Sequence, residues 1–211
     1  MTQEALRDAI LALRGRASDD EVDRLAEYCR LLRRVGRGRN LVSANSLERL
    51  EEHVVDCASL LSATDVSEES VGDLGSGAGL PGIVLAVLCP AVSVSLIDAR
   101  RSKVVFLRQA VRELGLRNTE IVHERLENLV GKASFDMAVS RALGSIDRTL
   151  ATSLALLSPG GRLVLYKGPK WPDERARAEA IGRGAGAELV GEVDVELPGL
   201  HRTTTFVTFR S

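Results

Sequence analysis

The stretch Val71-Gly72-Asp73-Leu74-Gly75-Ser76-Gly77-Ala78-Gly79-Leu80-Pro81-Gly82 reads as a short apolar strand that closes on an acid and enters a glycine-rich turn. Glycines at 75, 77 and 79 permit positive φ and let a ligand lie against bare main chain. Pro81 suits the first turn of a helix, where its missing N–H costs nothing. Strand, turn and helix N-terminus together aim amide donors at a nucleotide-sized ligand. A second acid, Asp98, closes the apolar run 92–97, about 23 residues beyond Gly75. An acid roughly 20 residues on is what grips a ribose hydroxyl in a βαβ nucleotide site. The competing reading is a glycine-rich hairpin with an incidental surface acid.

The rest of the chain is organised around that unit. Residues 1–66 read as a helical extension, with Ser18-Asp19-Asp20-Glu21 as a capped helix start. Val22, Leu25, Ala26, Cys29 and Leu32 fall on one stripe of that helix, and Gly36 and Gly38 stop it. A third helix is expected from Ser46, carrying Leu47, Leu50, Val54, Val55, Ala58 and Leu61. In residues 67–211, strands at 71–75, 92–97, 119–123, 136–140 and 162–167 alternate with helices near 82–89, 101–115, 145–157 and 172–185. That alternation predicts a parallel, doubly wound sheet with ligands at the carboxyl ends of its strands. The end differs: 188–197 and 202–209 are strands joined by so short a link that they must be antiparallel.

A formal charge of −1 over 211 residues excludes a protein coated in basic surface, though not a local basic patch. No apolar run approaches the roughly 18 residues that cross a bilayer, so no membrane is expected. Met1-Thr2-Gln3-Glu4 opens no export signal, and Cys29, Cys57 and Cys89 stand isolated, so a cytoplasmic, reducing location is expected. His53, His123 and His201 are equally scattered, and no metal site is expected.

Two cofactor classes use such a turn. A dinucleotide brings a pyrophosphate, which an acid at position 73 would repel. S-adenosylmethionine carries no phosphate and an ammonium group, which the same acid attracts by on the order of a kcal/mol. Gly77-Ala78-Gly79-Leu80-Pro81-Gly82 formally matches Gly-x-Gly-x-x-Gly, but its first glycine lies beyond the apparent strand end. The residues therefore favour the methyl donor.

Several of these segments resemble one family. Asp73-Leu74-Gly75-Ser76-Gly77-Ala78-Gly79-Leu80-Pro81-Gly82 is similar to the cofactor loop of the bacterial small-subunit ribosomal RNA guanine-N7 methyltransferases, also called the glucose-inhibited division protein B family. So are Asn40-Leu41-Val42 with His53-Val54-Val55-Asp56, Lys103-Val104-Val105-Phe106-Leu107, Ser140-Arg141-Ala142 and Lys167-Gly168. The resemblance runs from about residue 28 to the C-terminus. It implies the Rossmann-like fold of class I S-adenosylmethionine-dependent methyltransferases, a mostly parallel sheet with a C-terminal antiparallel hairpin. It implies methylation of N7 of a guanine in the 530-loop region of 16S rRNA, guanine-527, on the RNA or the small ribosomal subunit. A monomer is expected, though nothing in the residues fixes the oligomeric state. Carried over by position, cofactor contacts fall on Gly75, Leu80, Leu126, Glu127 and Arg141, with Asp73, Gly77 and Gly79 in the same turn and Asp98 holding the ribose.

Guanine N7 has a free lone pair at neutral pH, so no general base is needed. Catalysis then rests on in-line alignment and exclusion of water. Arg141 and Lys167 are the candidates for contacting the reacting groups, Arg141 through the cofactor carboxylate, guanine O6 or a phosphate. Lys103, Arg125 and Lys167 are candidate RNA contacts, each with a solvated surface cation as its alternative. Arg33, Arg34, Arg37 and Arg39 form the densest basic run, either a phosphate grip or a set of helix-end caps. His53 and Asp56 share a helix face, as a cap over the cofactor site or a polar core pair. At 3% aromatic content there is no stacking row, which points to shape and phosphate recognition, with Trp171 the lone stacking candidate or a core residue. Three other functions compete: a methyltransferase for a protein or small molecule, a nicotinamide-dependent oxidoreductase, and a noncatalytic ribosome-assembly factor. Loss of ribosomal methylation on deletion, and stabilisation by NAD, separate these.

Overall fold

The structure, a computed structural model, describes residues 1–36, 41–67, 70–141 and 144–211. Five helices come first: α1 (Gln3–Arg14), α2 (Asp19–Gly36), α3 (Ala44–Glu48), α4 (Leu50–Ala58) and α5 (Leu60–Ala63). Strand and helix then alternate as β1 (Ser70–Leu74), α6 (Gly82–Leu88), β2 (Ser93–Ile97), α7 (Arg101–Glu113), β3 (Thr119–Val122), β4 (Phe135–Arg141), α8 (Ile146–Leu154), β5 (Leu157–Lys167) and α9 (Trp171–Gly184). The chain closes with β6 (Glu188–Glu196) and β7 (Thr203–Arg210).

The strands form one seven-stranded sheet in the order β3-β2-β1-β4-β5-β7-β6. The first five run parallel and β7 pairs antiparallel with both β5 and β6, as the sequence predicts. The order reverses between β1 and β4, so the crevice for a ligand lies beyond their carboxyl ends.

Period-two alternation distributes the core. Along β5, Val164 and Tyr166 join one apolar cluster, while Leu163 and Leu165 join the other. The first cluster unites α6 and α7 with the apolar stripes of α1, α2 and α4, so residues from both sides of position 66 share it. The second is built with α8, α9 and Trp171.

Helix starts follow capping chemistry. Ser18 Oγ accepts from Glu21 N–H while Glu21 Oε2 accepts from Ser18 N–H, a reciprocal box worth about 1 kcal/mol. The helix expected from Ser46 begins earlier. Ser43 is the N-cap, its Oγ accepting from Ser46 N–H at 3.2 Å. The stripe 47–61 is also broken at Arg49 and Ser59 into α3, α4 and α5, the second break accompanied by Ser59 Oγ donating to the Asp56 carbonyl at 2.8 Å. β5 starts at Leu157, ahead of the expected 162. Leu157 pairs with Phe135 before a register shift, and Gly161 is required there because a Cβ would meet the Ser158 carbonyl at 2.8 Å. Turn residues 158–161 therefore sit inside a bulged strand.

Candidate functional site

The turn after β1 uses positive φ at Gly75 (75°), Gly77 (59°) and Gly79 (97°). It is sewn to β2 by Ser76 N–H on the Ile97 carbonyl at 2.8 Å and Gly77 N–H on Asp98 Oδ2 at 2.9 Å. From the other side, the fully buried Tyr28 of α2 donates its hydroxyl to the Ala78 carbonyl at 2.8 Å. The N-terminal extension thus props the turn directly.

Asp73 lies under this turn, 1% exposed, with Oδ2 accepting from Gly82 N–H at 3.0 Å as α6 begins. Burial pushes its carboxyl from 3.8 up to about 7, against the opposing pull of hydrogen bonds from Ser76 and Gly82. The folded value exceeds the unfolded one, so this proton stabilises the fold below about pH 4. That contribution is lost as pH rises through about 7. Asp73→Asn keeps an amide oxygen for Gly82 and removes the titration. We expect its unfolding temperature to exceed wild type at pH 8 and to converge with it near pH 4; equal differences at both pH values would contradict this.

A cleft of about 510 Å³ opens above the turn at the carboxyl ends of the strands. Gly75, Gly77, Asp98, Arg125, Leu126, Glu127, Gly144 and Thr149 are among its lining residues. A Cβ on Gly77 would meet nothing nearer than the Gly75 carbonyl at 3.8 Å. The space over the turn is therefore open to a ligand. Asp98 holds Arg100 N–H with Oδ1 at 2.8 Å and Gly77 N–H with Oδ2, which fixes the carboxylate while leaving each oxygen a further lone pair. A half-buried Leu126 beside that carboxylate, with bare backbone beneath, fits a nucleoside: an apolar contact for the base and an acceptor for ribose hydroxyls. Leu126 and Glu127 belong to a 3-10 turn, Leu126–Asn128, that follows β3.

Other expected residues are placed differently. Gly79 and Leu80 pack inward; Leu80 is 9% exposed, and a Cβ on Gly79 would overlap Ile83 Cδ1 at 2.4 Å. Lys103 also borders the cleft, but it is 7% exposed and its Nζ donates to the Leu41 carbonyl. Arg125 is exposed at the rim. Lys167 Nζ pairs with Glu174 at 2.6 Å and sits over the Trp171 ring at 5.6 Å from its centroid. Trp171 is 4% exposed, which settles it as a core residue with no face for RNA. Arg33 grips Glu51 through both terminal nitrogens, at 2.7 and 2.5 Å, and Arg34 pairs with Glu113 at 2.8 Å, so neither guanidinium is unpaired. Arg37 and Arg39 lie outside the described residues.

Arg141, at the end of β4, reaches across to α4. Its Nε donates to Asp56 Oδ2 at 3.0 Å, and a terminal nitrogen donates to His53 Nδ1 at 2.9 Å. Asp56 Oδ1 in turn accepts from the Thr204 hydroxyl of β7 at 2.5 Å. The helix-face pair His53 and Asp56 therefore exists to hold an arginine 85 or more residues away. No local spacing reveals that, nor does it reveal Gly144 and Thr149 in the cleft. The position of the latter two after β4, at the point where the strand order reverses, is the signal that locates them.

A model of the rRNA small subunit methyltransferase G family matches residues 21–181 of this chain. The protein named ribosomal RNA small subunit methyltransferase G from Chromohalobacter salexigens is 36% identical over 198 residues, covering 93% of this chain and 91% of its own. Its namesake from Carboxydothermus hydrogenoformans is 30% identical over 196 residues, 90% and 83% of the two chains. Among solved structures, TYW2 from M. jannaschii in complex with AdoMet shares the fold with a TM-score of 0.56 at 15% identity, over 80% of this chain and 76% of that one. Taken with the sheet order and the glycine turn, these matches show that the chain belongs to the rRNA small subunit methyltransferase G family.

Proposed function

We propose that this protein transfers a methyl group from S-adenosylmethionine to N7 of a guanine in 16S rRNA, guanine-527 of the 530 loop. Residues 67–211 form the catalytic domain and residues 1–66 an extension that braces it. The observation that carries the reading is the cleft itself, where the backbone of Gly75 and Gly77, the Asp98 carboxylate and Leu126 converge on one nucleoside-sized space. When bound there, the donor supplies an activated methyl carbon on a sulfonium. Asp98 accepts hydrogen bonds from the ribose hydroxyls, and Leu126 and Glu127 flank the adenine. Asp73, buried beneath the turn, steadies the start of α6 through Gly82 and is fully charged only above about pH 7.

An adjoining hollow lined by Ser140, Leu165, Tyr166 and Lys167 shares Gly144 and Thr149 with the cleft. The hollow itself is too small for a purine, at about 80 Å³, so the acceptor base is taken to approach the donor cleft from this side. The N7 lone pair forms the new bond, so no residue has to remove a proton, and positive charge passes to the purine ring. Lys167, steadied by Glu174, contacts guanine O6 or a phosphate from the rim instead of the ring face, where its charge would oppose transfer. Arg125 supplies a phosphate contact at the mouth. No helix among the described residues is long and apolar enough to cross a membrane. The reading puts the protein on ribosomal RNA in the cytoplasm, as a monomer.

Asp98→Asn should weaken binding of S-adenosylhomocysteine about 10- to 100-fold, the worth of a charge-assisted hydrogen bond at a half-buried carboxylate. Calorimetric titration checks this, and an unchanged affinity would remove Asp98 from the ribose site. The function itself is tested by mass mapping of 16S rRNA. Small subunits from a strain lacking this gene are incubated with the protein and labelled donor. Label on a single guanine N7 is expected; label elsewhere, or none, contradicts the reading.

A further inference from the structure

Three walls of the donor cleft each carry an arginine. Arg100 caps α7 after β2, Arg125 precedes the 3-10 turn after β3, and Arg148 lies in the first turn of α8 after β4. All three line the cleft and all three are exposed, so a ligand can reach them. Their main chains are anchored. Arg100 N–H donates to Asp98 Oδ1 at 2.8 Å, Arg125 N–H to Glu124 Oε1 at 2.8 Å, and Arg148 N–H to the Ser145 carbonyl at 3.1 Å.

Stability does not account for these side chains. Among the described residues, none of the three guanidiniums has a hydrogen bond or an ion pair. The neighbouring acids are engaged with other groups. Asp98 holds the N–H groups of Gly77 and Arg100, and Glu124 holds the Arg125 N–H and the Asn128 amide. Asp147, next to Arg148, pairs with Arg177 of α9. Glu127 is the remaining acid of the cleft, and the reading above gives it to the adenine. The first turn of α7 contains no acid, so the helix dipole also works against Arg100, by about 0.3–1 kcal/mol. Elsewhere on the surface, Arg24, Arg49 and Arg175 each pair with an acid three or four residues away. Cations that the fold leaves unmatched, set around the opening a substrate must pass, fit a substrate with negative charge spaced along a chain.

We propose that Arg100, Arg125 and Arg148 form a clamp on the RNA backbone, holding phosphodiesters on either side of the target guanine. The proposal rests on the RNA reading above and extends the contact given there to Arg125. Arg148 belongs to the wall that borders the hollow through Gly144 and Thr149, so it meets the strand on the acceptor's side. Arg100 meets it from the β2 side. Each guanidinium presents the fork of N–H groups that matches two phosphate oxygens. The carboxylate of the methyl donor is the other anion at hand. One carboxylate cannot serve guanidiniums on three walls, and the ammonium beside it would be repelled by them. Backbone phosphates are the occupant this arrangement favours.

Binding of deproteinised 16S rRNA is measured between about 50 and 200 mM salt for wild type, Arg148→Gln, Arg100→Gln and the double variant. Each lost phosphate contact lowers the slope of log K against log salt by about 0.7–0.9, so the double variant should fall by about twice that. Arg148→Lys keeps the charge and should restore most of the slope. Arg117 is an exposed arginine just before β3, at the opposite ends of the strands, and Arg117→Gln should leave the slope unchanged. Because no partner is lost, unfolding temperatures should stay within about 2 °C of wild type. Affinity for S-adenosylhomocysteine should stay within about twofold. An unchanged slope in the double variant, an equal fall in Arg117→Gln, or a lost donor affinity would each overturn the clamp. A variant that melts well below wild type would reveal a partner within the fold and overturn it too. Methyl transfer by wild type is followed in the same samples. Its absence removes the proposed function and this clamp with it, whereas its presence with unaltered slopes removes the clamp alone.

Discussion

Gly77→Asp should abolish methyl transfer and weaken S-adenosylhomocysteine binding by 100-fold or more, with little loss of stability. The position has φ +59°, in the left-handed region that aspartate tolerates better than most residues. The new Cβ finds open space, its nearest neighbour being the Gly75 carbonyl at 3.8 Å. The fold therefore has room for the side chain, at a cost of about 1–2 kcal/mol from backbone strain and charge. The ligand has none, because that space is the cleft. The added carboxylate also stands near Asp98, whose Oδ2 already accepts the Gly77 N–H. A hundredfold loss corresponds to about 2.7 kcal/mol, within reach of excluded volume and like-charge repulsion at a partly buried site. Titration calorimetry and thermal unfolding on the same sample check both halves. Unchanged affinity would show that the ligand lies elsewhere.

Gly82→Ala should do the reverse, damaging the fold first. Its Cβ would sit 2.3 Å from Leu96 Cδ2 and 2.5 Å from Asp73 Oδ2, in a region where Leu96 is fully buried and Asp73 nearly so. Neither neighbour can swing into solvent. The start of α6 must move away from β2, and the Gly82 N–H bond to Asp73 goes with it. Overpacking plus a lost hydrogen bond to a buried acid amounts to about 3 kcal/mol. For a chain of this size that lowers the unfolding temperature by roughly 6–12 °C. Thermal melts decide it. A fall under about 2 °C would mean that the close packing of turn, α6 and β2 is not what holds this site together. The two glycines thus serve different ends: one leaves room for a ligand, the other for the protein itself.

These positions also show where sequence reasoning stops. The turn, Asp98 and the alternation of strands and helices were legible because each depends on neighbours within about 25 residues. Apolar runs of period two, glycine punctuation and an acid at the strand end carry their meaning locally. Val164 and Leu165 occupy opposite faces of β5 for that reason. The third helix starts at Ala44, two residues ahead of the expected Ser46, because Ser43 caps it by accepting from Ser46 N–H. Partners were harder still. Nothing in the local pattern marks Tyr28, yet its hydroxyl holds the Ala78 carbonyl fifty positions away. Arg33 and Arg34 read as a phosphate grip or helix-end caps, and Lys103 as an RNA contact or a solvated cation, until packing brings Glu51, Glu113 and the Leu41 carbonyl to them. Charge along a chain shows where a cation is, and only the fold shows what it faces. The Arg141 clamp belongs to the same class, since it depends on β4, β7 and α4 meeting.

Titration of the full-length protein with S-adenosylhomocysteine, with NAD as the comparison ligand, tests most directly whether the glycine turn is the donor seat. Saturable one-to-one binding of the former, lost in Gly77→Asp and weakened in Asp98→Asn, is the expected result. Heat with NAD alone, or with neither compound, would contradict it.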